Sequence, residues 1–185
     1  MTISQSLPLV AVVALAFMGA TAEIGYCAGW RLNLTASEPL GLYRLQPLGI
    51  APIPRGTRIE FCPPAWVTPI AYPFYMSGDC PSGGRAMLKT VLGVPGDQIS
   101  ATEEGLTING TQVPGSASRL RSIRYSEILL PRFRETLVLQ SGQYWVYGSG
   151  ERPELAALSF DSRYYGPIRV EWIRGLLFRA GVPAW

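Results

Sequence analysis

The chain has 185 residues, a hydrophobic fraction of 48%, 20 glycines, 16 prolines, a formal net charge of +3 and no histidine. Without an imidazole, Ser-His-Asp and Cys-His hydrolase chemistry is excluded, metal sites lose their commonest neutral ligand, and so small a charge gives no argument for nucleic acid as a partner. The apolar fraction suits one domain with a real core, and the Gly and Pro content suits many short strands joined by turns.

The first predicted element is a membrane segment. Leu7 to Ala22 carries no charge, and no Lys or Arg precedes Arg31. As a helix that stretch rises about 24 Å, short of a bilayer core of about 30 Å. Continuing it to Trp30 gives sufficient length and requires Glu23 to sit near an interface. Residues 1–30 are read as a transmembrane anchor. A cleaved signal segment is the alternative, since Ala20-Thr21-Ala22 resembles an A-x-A cleavage site, although the basic n-region is missing. Arg31, Arg44, Arg55 and Arg58 follow the segment, so the positive-inside rule lends no support to export of the remainder.

Asn33-Leu-Thr-Ala-Ser-Glu-Pro-Leu-Gly-Leu-Tyr43 comes next. Small hydroxyl residues followed by Pro39 and Gly41 predict a tight non-helical turn. Thr35 and Ser37 lie two apart and share a face in an extended stretch, so Ser37 is a candidate nucleophile with the Thr35 hydroxyl beside it. A plain polar turn leading into a strand is the alternative. Ile59 to Cys80 is rich in Pro and aromatics and is bracketed by Cys62 and Cys80. In an oxidising compartment these two are candidates for a disulfide, which would stabilise by about 3 kcal/mol in the chain-entropy model. Two buried free thiols is the other reading. Cys27, beside the membrane segment, is expected to be unpaired, and no C-x-x-C spacing points to redox catalysis or zinc.

Arg85 to Asp97, RAMLKTVLGVPGD, holds the single lysine of the chain, Lys89. Arginine stays protonated near neutral pH, so Lys89 is the one side-chain candidate for a neutral amine base. Its apolar neighbours predict a buried strand ending in the turn Pro95-Gly96-Asp97. Burial disfavours the ammonium form and moves a lysine toward neutrality. The alternative is an edge lysine with its stem packed and its head in water. Gln98 to Gly115 reads as strand, turn, strand, with an Asn109-Gly110 hairpin signal. Arg119 to Arg134, RLRSIRYSEILLPRFR, is the most basic run. It suits contact with lipid headgroups or a partner, or a solvated strand face. Leu137–Leu139 and Tyr144–Tyr147 read as core strands. Val170–Trp185 is apolar and aromatic, and either closes the sheet or dips toward a bilayer.

Three boxes in order carry a family resemblance: N-x-T-x-S-x-P-x-G-L-Y at Asn33–Tyr43, K-x-x-x-G-x-P-G-D at Lys89–Asp97, and S-x-D-S-R-Y-x-G at Ser159–Gly166. The chain resembles the type I signal peptidases, a family of Ser-Lys proteases, and its serine box is most similar to the conjugative-transfer, pilin-processing (TraF-type) branch. The resemblance implies Ser37 as nucleophile and Lys89 as general base. It implies the Ser37 backbone N–H and the Thr35 hydroxyl as oxyanion donors, Ser159 as a hydrogen-bond partner of the lysine, and Asp161 and Arg163 as a supporting ion pair. A purely structural ion pair looks the same in sequence. Thr90 replaces the arginine usual after the lysine in bacterial signal peptidases, Gly148-Ser149-Gly150 replaces their Gly-Asp-Asn, and Pro39 follows Ser37 after one residue rather than two. These departures favour the transfer branch over housekeeping signal-peptide cleavage.

The expected fold is mainly β: a catalytic domain of signal-peptidase type, an antiparallel β-sheet or barrel-like, over residues 31–185, behind the membrane segment of residues 1–30. The resemblance implies a serine endopeptidase at the bacterial inner membrane with its catalytic domain in the periplasm. It would need no cofactor or metal. Its partners would be a membrane-associated, prepilin-like precursor cut after a small residue, inner-membrane lipid and proteins of a conjugation apparatus. A general type I signal peptidase, a repressor-type Ser-Lys autoprotease and a non-enzymatic subunit of a secretion channel are the alternatives. The membrane segment and the lack of a helix-turn-helix region count against the repressor type.

Overall fold

The structure, a computed structural model, describes residues 6–148 and 153–181. It opens with helix α1, Ser6–Cys27. Its 22 residues rise about 33 Å, enough for a bilayer core of about 30 Å. Leu9, Val10, Val13, Phe17 and Ile24 are all exposed on it, so the helix buries no apolar face against the rest of the chain. Glu23 falls in the penultimate turn, close to the helix end, and Cys27 is a free, exposed thiol.

The remainder is built from antiparallel strands. In order they are β1 (Trp30–Asn33), β2 (Gly41–Gln46), β3 (Arg58–Phe61), β4 (Met87–Gly93), β5 (Gln98–Ala101), β6 (Leu106–Ile108), β7 (Thr111–Val113), β8 (Thr136–Val138), β9 (Gln143–Tyr147), β10 (Ile168–Arg169) and β11 (Ile173–Arg179). Seven of them form one sheet in the order β1-β2-β11-β3-β4-β9-β10, and four form another in the order β7-β6-β5-β8. The domain is mainly β, as expected, but among the described residues neither sheet closes into a barrel. The larger sheet ends in β1 and the two-residue β10, and strands so short at its edges supply too few ladder bonds to join across a seam.

Alternation along β4 and β9 builds two cores from one pair of strands. Val91 and Val146 face the larger core with Ile59, Phe61 and Ile168. Leu92 and Trp145 face the smaller one with Ile99, Leu106 and Leu139. The larger sheet is threaded through its middle by the C-terminal strand, since β11 lies between β2 and β3. Gly175 permits this: a Cβ there would stand 2.3 Å from the Gln46 carbonyl oxygen. The strand thus completes the middle of the sheet, while Trp185 lies outside the described residues.

Three other expectations are refined. Gln98–Gly115 holds three strands rather than two, with Asn109 and Gly110 both at positive φ in the hairpin joining β6 to β7. The basic run 119–134 forms no strand; Arg121 bridges Leu129 in isolation, because Pro131 and the preceding turn interrupt pairing. Leu137 and Val138 lie on a small-sheet edge strand, and Leu139, just beyond it, is the buried member of that trio.

Cys62 and Cys80 are joined as a disulfide with Cα atoms 5.5 Å apart. The loop they close touches the helix end: the Tyr26 hydroxyl donates to Asp79 Oδ2 at 3.2 Å, and Arg174 donates to both oxygens of Asp79 at 2.8 and 2.9 Å. Arg31 lies 3.9 Å above the Tyr26 ring and pairs with Glu60 at 2.5 Å. Replacing both Cys62 and Cys80 by Ser is expected to cost about 3 kcal/mol of stability, lowering the melting temperature by about 6–12 °C in a domain of this size. Calorimetry of the double variant beside the oxidised parent measures it.

Candidate active site

The serine box folds around one side chain. Asn33, the last residue of β1, turns inward, and its Oδ1 accepts from the Thr35 N–H at 3.1 Å and the Thr35 hydroxyl at 2.8 Å. Its Nδ2 donates to the carbonyls of Thr35, Glu38 and Pro39 at 2.9–3.0 Å. The Tyr43 hydroxyl holds the Pro39 carbonyl from the other side at 2.6 Å. An irregular segment with these carbonyls tied down has few ways to move, and Ser37 sits at its centre, 8% exposed.

Lys89 reaches Ser37 from β4. Its Nζ lies 2.9 Å from Ser37 Oγ and also donates to the Leu88 carbonyl at 3.1 Å. Lys89 is itself 6% exposed. Burial pushes its amine below the ordinary lysine value; Glu38 and Asp161 act in the opposite sense, and Arg163 adds to the lowering. As an ammonium, Nζ donates to the serine. Once it loses a proton the contact reverses, and the nitrogen lone pair can accept the seryl hydrogen.

The other expected site residues fall around this pair with different degrees of contact. The Thr35 hydroxyl is 3.4 Å from Ser37 Oγ, and its hydrogen is committed to Asn33, so it meets an oxyanion only after rotating away from Asn33. Ser159 is buried close by, but the hydrogen bond to lysine that the resemblance implies is not formed: Ser159 Oγ has no partner among the described residues, and the lysine directs its protons to Ser37 and Leu88. Asp161 and Arg163 form a two-pronged pair at 2.8 and 2.9 Å, both essentially excluded from water. Arg163 also donates to the carbonyls of Ala156 and Ser159, while Asp161 accepts the Gly148 N–H at 3.1 Å. The pair shares no hydrogen bond with Ser37 or Lys89. It fixes Gly148 and the segment leading to Ser159, as a buried pair can when its remaining valences are satisfied.

Two further residues complete the site and were given no role by sequence reasoning. A Cβ on Gly148 would lie 2.6 Å from Ser159 Oγ, 2.7 Å from the Ser37 carbonyl oxygen and 3.1 Å from the Lys89 stem, so glycine there lets three site residues converge. Glu38 is 3% exposed, and its carboxylate accepts from the Thr90 hydroxyl at 2.9 and 3.0 Å and from Arg58 Nε at 3.2 Å. A carboxylate directly beside a candidate nucleophile was the available signal. Asp97 closes the lysine box in a structural role: it accepts from Arg55, the Val94 N–H and Asn109, bonds that outweigh burial and hold its carboxyl below the usual range.

A family model described as "Signal peptidase, peptidase S26" matches residues 3–180. The chain is 32% identical over 159 residues to the plasmid transfer protein TraF of Escherichia coli, covering 83% of each. It is 32% identical over 172 residues to the conjugal transfer protein TraF of Agrobacterium fabrum (strain C58), covering 89% of each. A signal peptidase I V of Bacillus subtilis (strain 168) is 30% identical over 99 residues, half of this chain and 56% of that protein.

The convergence at Gly148 is directly testable. Gly148→Ala is expected to leave the fold intact by circular dichroism and to lower peptide-cleaving turnover by up to about 100-fold, the scale on which displacing a reacting group by an ångström acts. Assaying the purified variant against the parent, on the peptide described below, checks it.

Proposed function

The chain belongs to the signal peptidase family, peptidase S26, and we propose that it is a serine endopeptidase with a Ser37/Lys89 dyad that matures a membrane-bound precursor, most specifically a conjugative pilin precursor. The observation that carries the dyad is the 2.9 Å approach of the chain's one lysine to Ser37. The relatives named as TraF transfer proteins support the conjugative substrate.

In this reading neutral Lys89 takes the Ser37 proton as Oγ attacks the scissile carbonyl. The developing oxyanion is met by the Ser37 N–H and, after rotation, by the Thr35 hydroxyl; a donor at this point typically contributes about 2.7–4 kcal/mol. The lysine then protonates the leaving amine, and water activated by the same amine releases the acyl group from Ser37. An amine of the substrate in place of water would yield a cyclic product. Asp161 and Arg163 hold the surrounding frame. Residues 1–30 serve as the anchor and residues 31–185 as the periplasmic peptidase domain, which sets the serine a few residues past the membrane.

A fluorogenic peptide with Ala before the scissile bond, in detergent micelles, tests the dyad. Ser37→Ala, Lys89→Ala and Lys89→Arg are each expected to abolish turnover, the last because arginine stays protonated. The Ser37→Ala/Lys89→Ala double variant should be no worse than either single one. Since the base works only when neutral, the parent's rate should climb with pH, along a limb lying below the ordinary lysine value of about 10.4. A rate that stays flat between about pH 5 and 9, or a folded Lys89→Ala variant with parental turnover, contradicts the mechanism.

The anchor has its own test. A form beginning at Arg31 is expected to cut the soluble peptide nearly as well as the full chain, yet to process a precursor embedded in liposomes far more slowly. Confinement of enzyme and substrate to one surface raises their effective concentration without new contacts. Equal rates on the embedded precursor would assign residues 1–30 to export alone.

A further inference from the structure

The residue after the candidate nucleophile is a buried carboxylate that the mechanism above does not use. Glu38 is tied on one side to Thr90, the residue after Lys89, and on the other to Arg58. Arg58 and Thr90 are opposite one another in the β3–β4 ladder, one rung along from Ile59 and Lys89. Two consecutive loop residues, Ser37 and Glu38, therefore grip two consecutive strand residues, Lys89 and Thr90. A single contact would let the loop slide or tilt along β4. Two contacts at adjacent positions fix its register as well as its distance. A well-packed apolar side chain at position 38 would avoid the desolvation of a charge altogether, so stability alone does not account for a carboxylate there.

We propose that Glu38 is a positioning residue, which through Thr90 and Arg58 locks the serine loop onto β4 and holds Ser37 Oγ in line with Lys89 Nζ. The proposal rests on the dyad reading. It also carries an electrostatic consequence. The charged groups acting on Lys89 are Glu38, Asp161 and Arg163, and those acting on Glu38 are Lys89 and Arg58. Burial pushes the Glu38 carboxyl above its usual range, with Lys89, Thr90 and Arg58 pulling it back. While ionised, Glu38 favours the ammonium form of Lys89. Removing its charge therefore moves Lys89 toward neutrality and shifts the alkaline-rising limb of activity to lower pH.

Full-length enzyme in micelles, assayed with the same peptide across pH, separates this from a role in folding alone. Thr90→Val, nearly isosteric, is expected to lower kcat by about 10-fold or more with KM within about twofold, as for a misaligned reacting group, and Thr90→Ser should restore it. Glu38→Gln keeps an acceptor for the Thr90 hydroxyl. It should retain most of kcat at the plateau but move the limb to lower pH, whereas Glu38→Ala should show the same limb shift together with the kcat loss. A merely structural residue would change melting temperature and yield of active enzyme without moving the limb. Parental kcat in Thr90→Val, or an unmoved limb in Glu38→Gln, overturns the proposal. Should Lys89→Ala keep its turnover in the same assay, the dyad itself is wrong; with Lys89→Ala dead, the Glu38 and Thr90 results bear on the positioning role alone.

Discussion

An amine placed beside a hydroxyl in a dry part of a protein loses the solvation that water gives its charge. Lys89 and Ser37 are in that situation: both are buried and 2.9 Å apart. Such a contact makes demands on everything around it. The lysine must come from an interior strand, because a strand edge would let its head group reach water, and β4 has β3 and β9 on its two sides. The serine must come from a segment that is not itself a strand, because its carbonyl has to approach within contact of Gly148. Asn33 makes that irregular segment rigid by taking up backbone groups that no ladder satisfies. The short β1 and β2 flank it and join it to the sheet.

Charges near the contact are arranged in two different ways. Asp161 and Arg163 neutralise one another, and their spare valences go to backbone groups of Gly148, Ala156 and Ser159. The Arg163 guanidinium also stacks 4.7 Å from the Tyr147 ring. This cluster acts on Lys89 mostly through position, since its two fields oppose each other there. Glu38 is different, because its cationic partner, Arg58, is about one-third exposed to water and screens it less completely. The carboxylate next to the serine is thus the main negative charge felt by the lysine, and it is attached to the loop that must stay in register.

The chemistry of the pair was more legible in the sequence than its surroundings. A chain with no histidine and one lysine leaves few ways to activate a serine, and apolar neighbours marked Lys89 for burial. The helix, the antiparallel strands and the Asn109-Gly110 hairpin were also readable, because periodicity and turn chemistry are local. What depends on long-range pairing was not. Glu38 gains its meaning only when the β3–β4 register brings Arg58 opposite Thr90. Gly148 looks like any turn glycine until Ser37, Lys89 and Ser159 arrive around it. The expected Ser159–Lys89 bond failed for the same kind of reason: sequence order puts the two boxes in one site, but the direction of a hydroxyl depends on sub-ångström packing. Whether the sheet closes on itself was not legible, because alternation says which face is buried and nothing about whether the last strand meets the first.

Two of the departures from bacterial signal peptidases, at Thr90 and Pro39, make physical sense together. Where those enzymes have arginine after the lysine, this chain has Thr90, and the residue after its serine is an acid that the Thr90 hydroxyl meets. An arginine at position 90 would place a full cation beside Lys89 as well as beside Glu38. Its charge would lower the lysine further, while its length would push the serine loop away from β4. A short hydroxyl lets the loop sit close and leaves Glu38 to Arg58, which arrives from the neighbouring strand. Pro39 then follows at once, its ring fixing φ directly after the acid, with its carbonyl held by both Asn33 and Tyr43. A loop shorter by one residue before the proline has less slack, and the acid–hydroxyl contact restricts it further by fixing it from the strand side. Thr90, Glu38 and the early Pro39 therefore act together in holding the serine loop on a buried lysine.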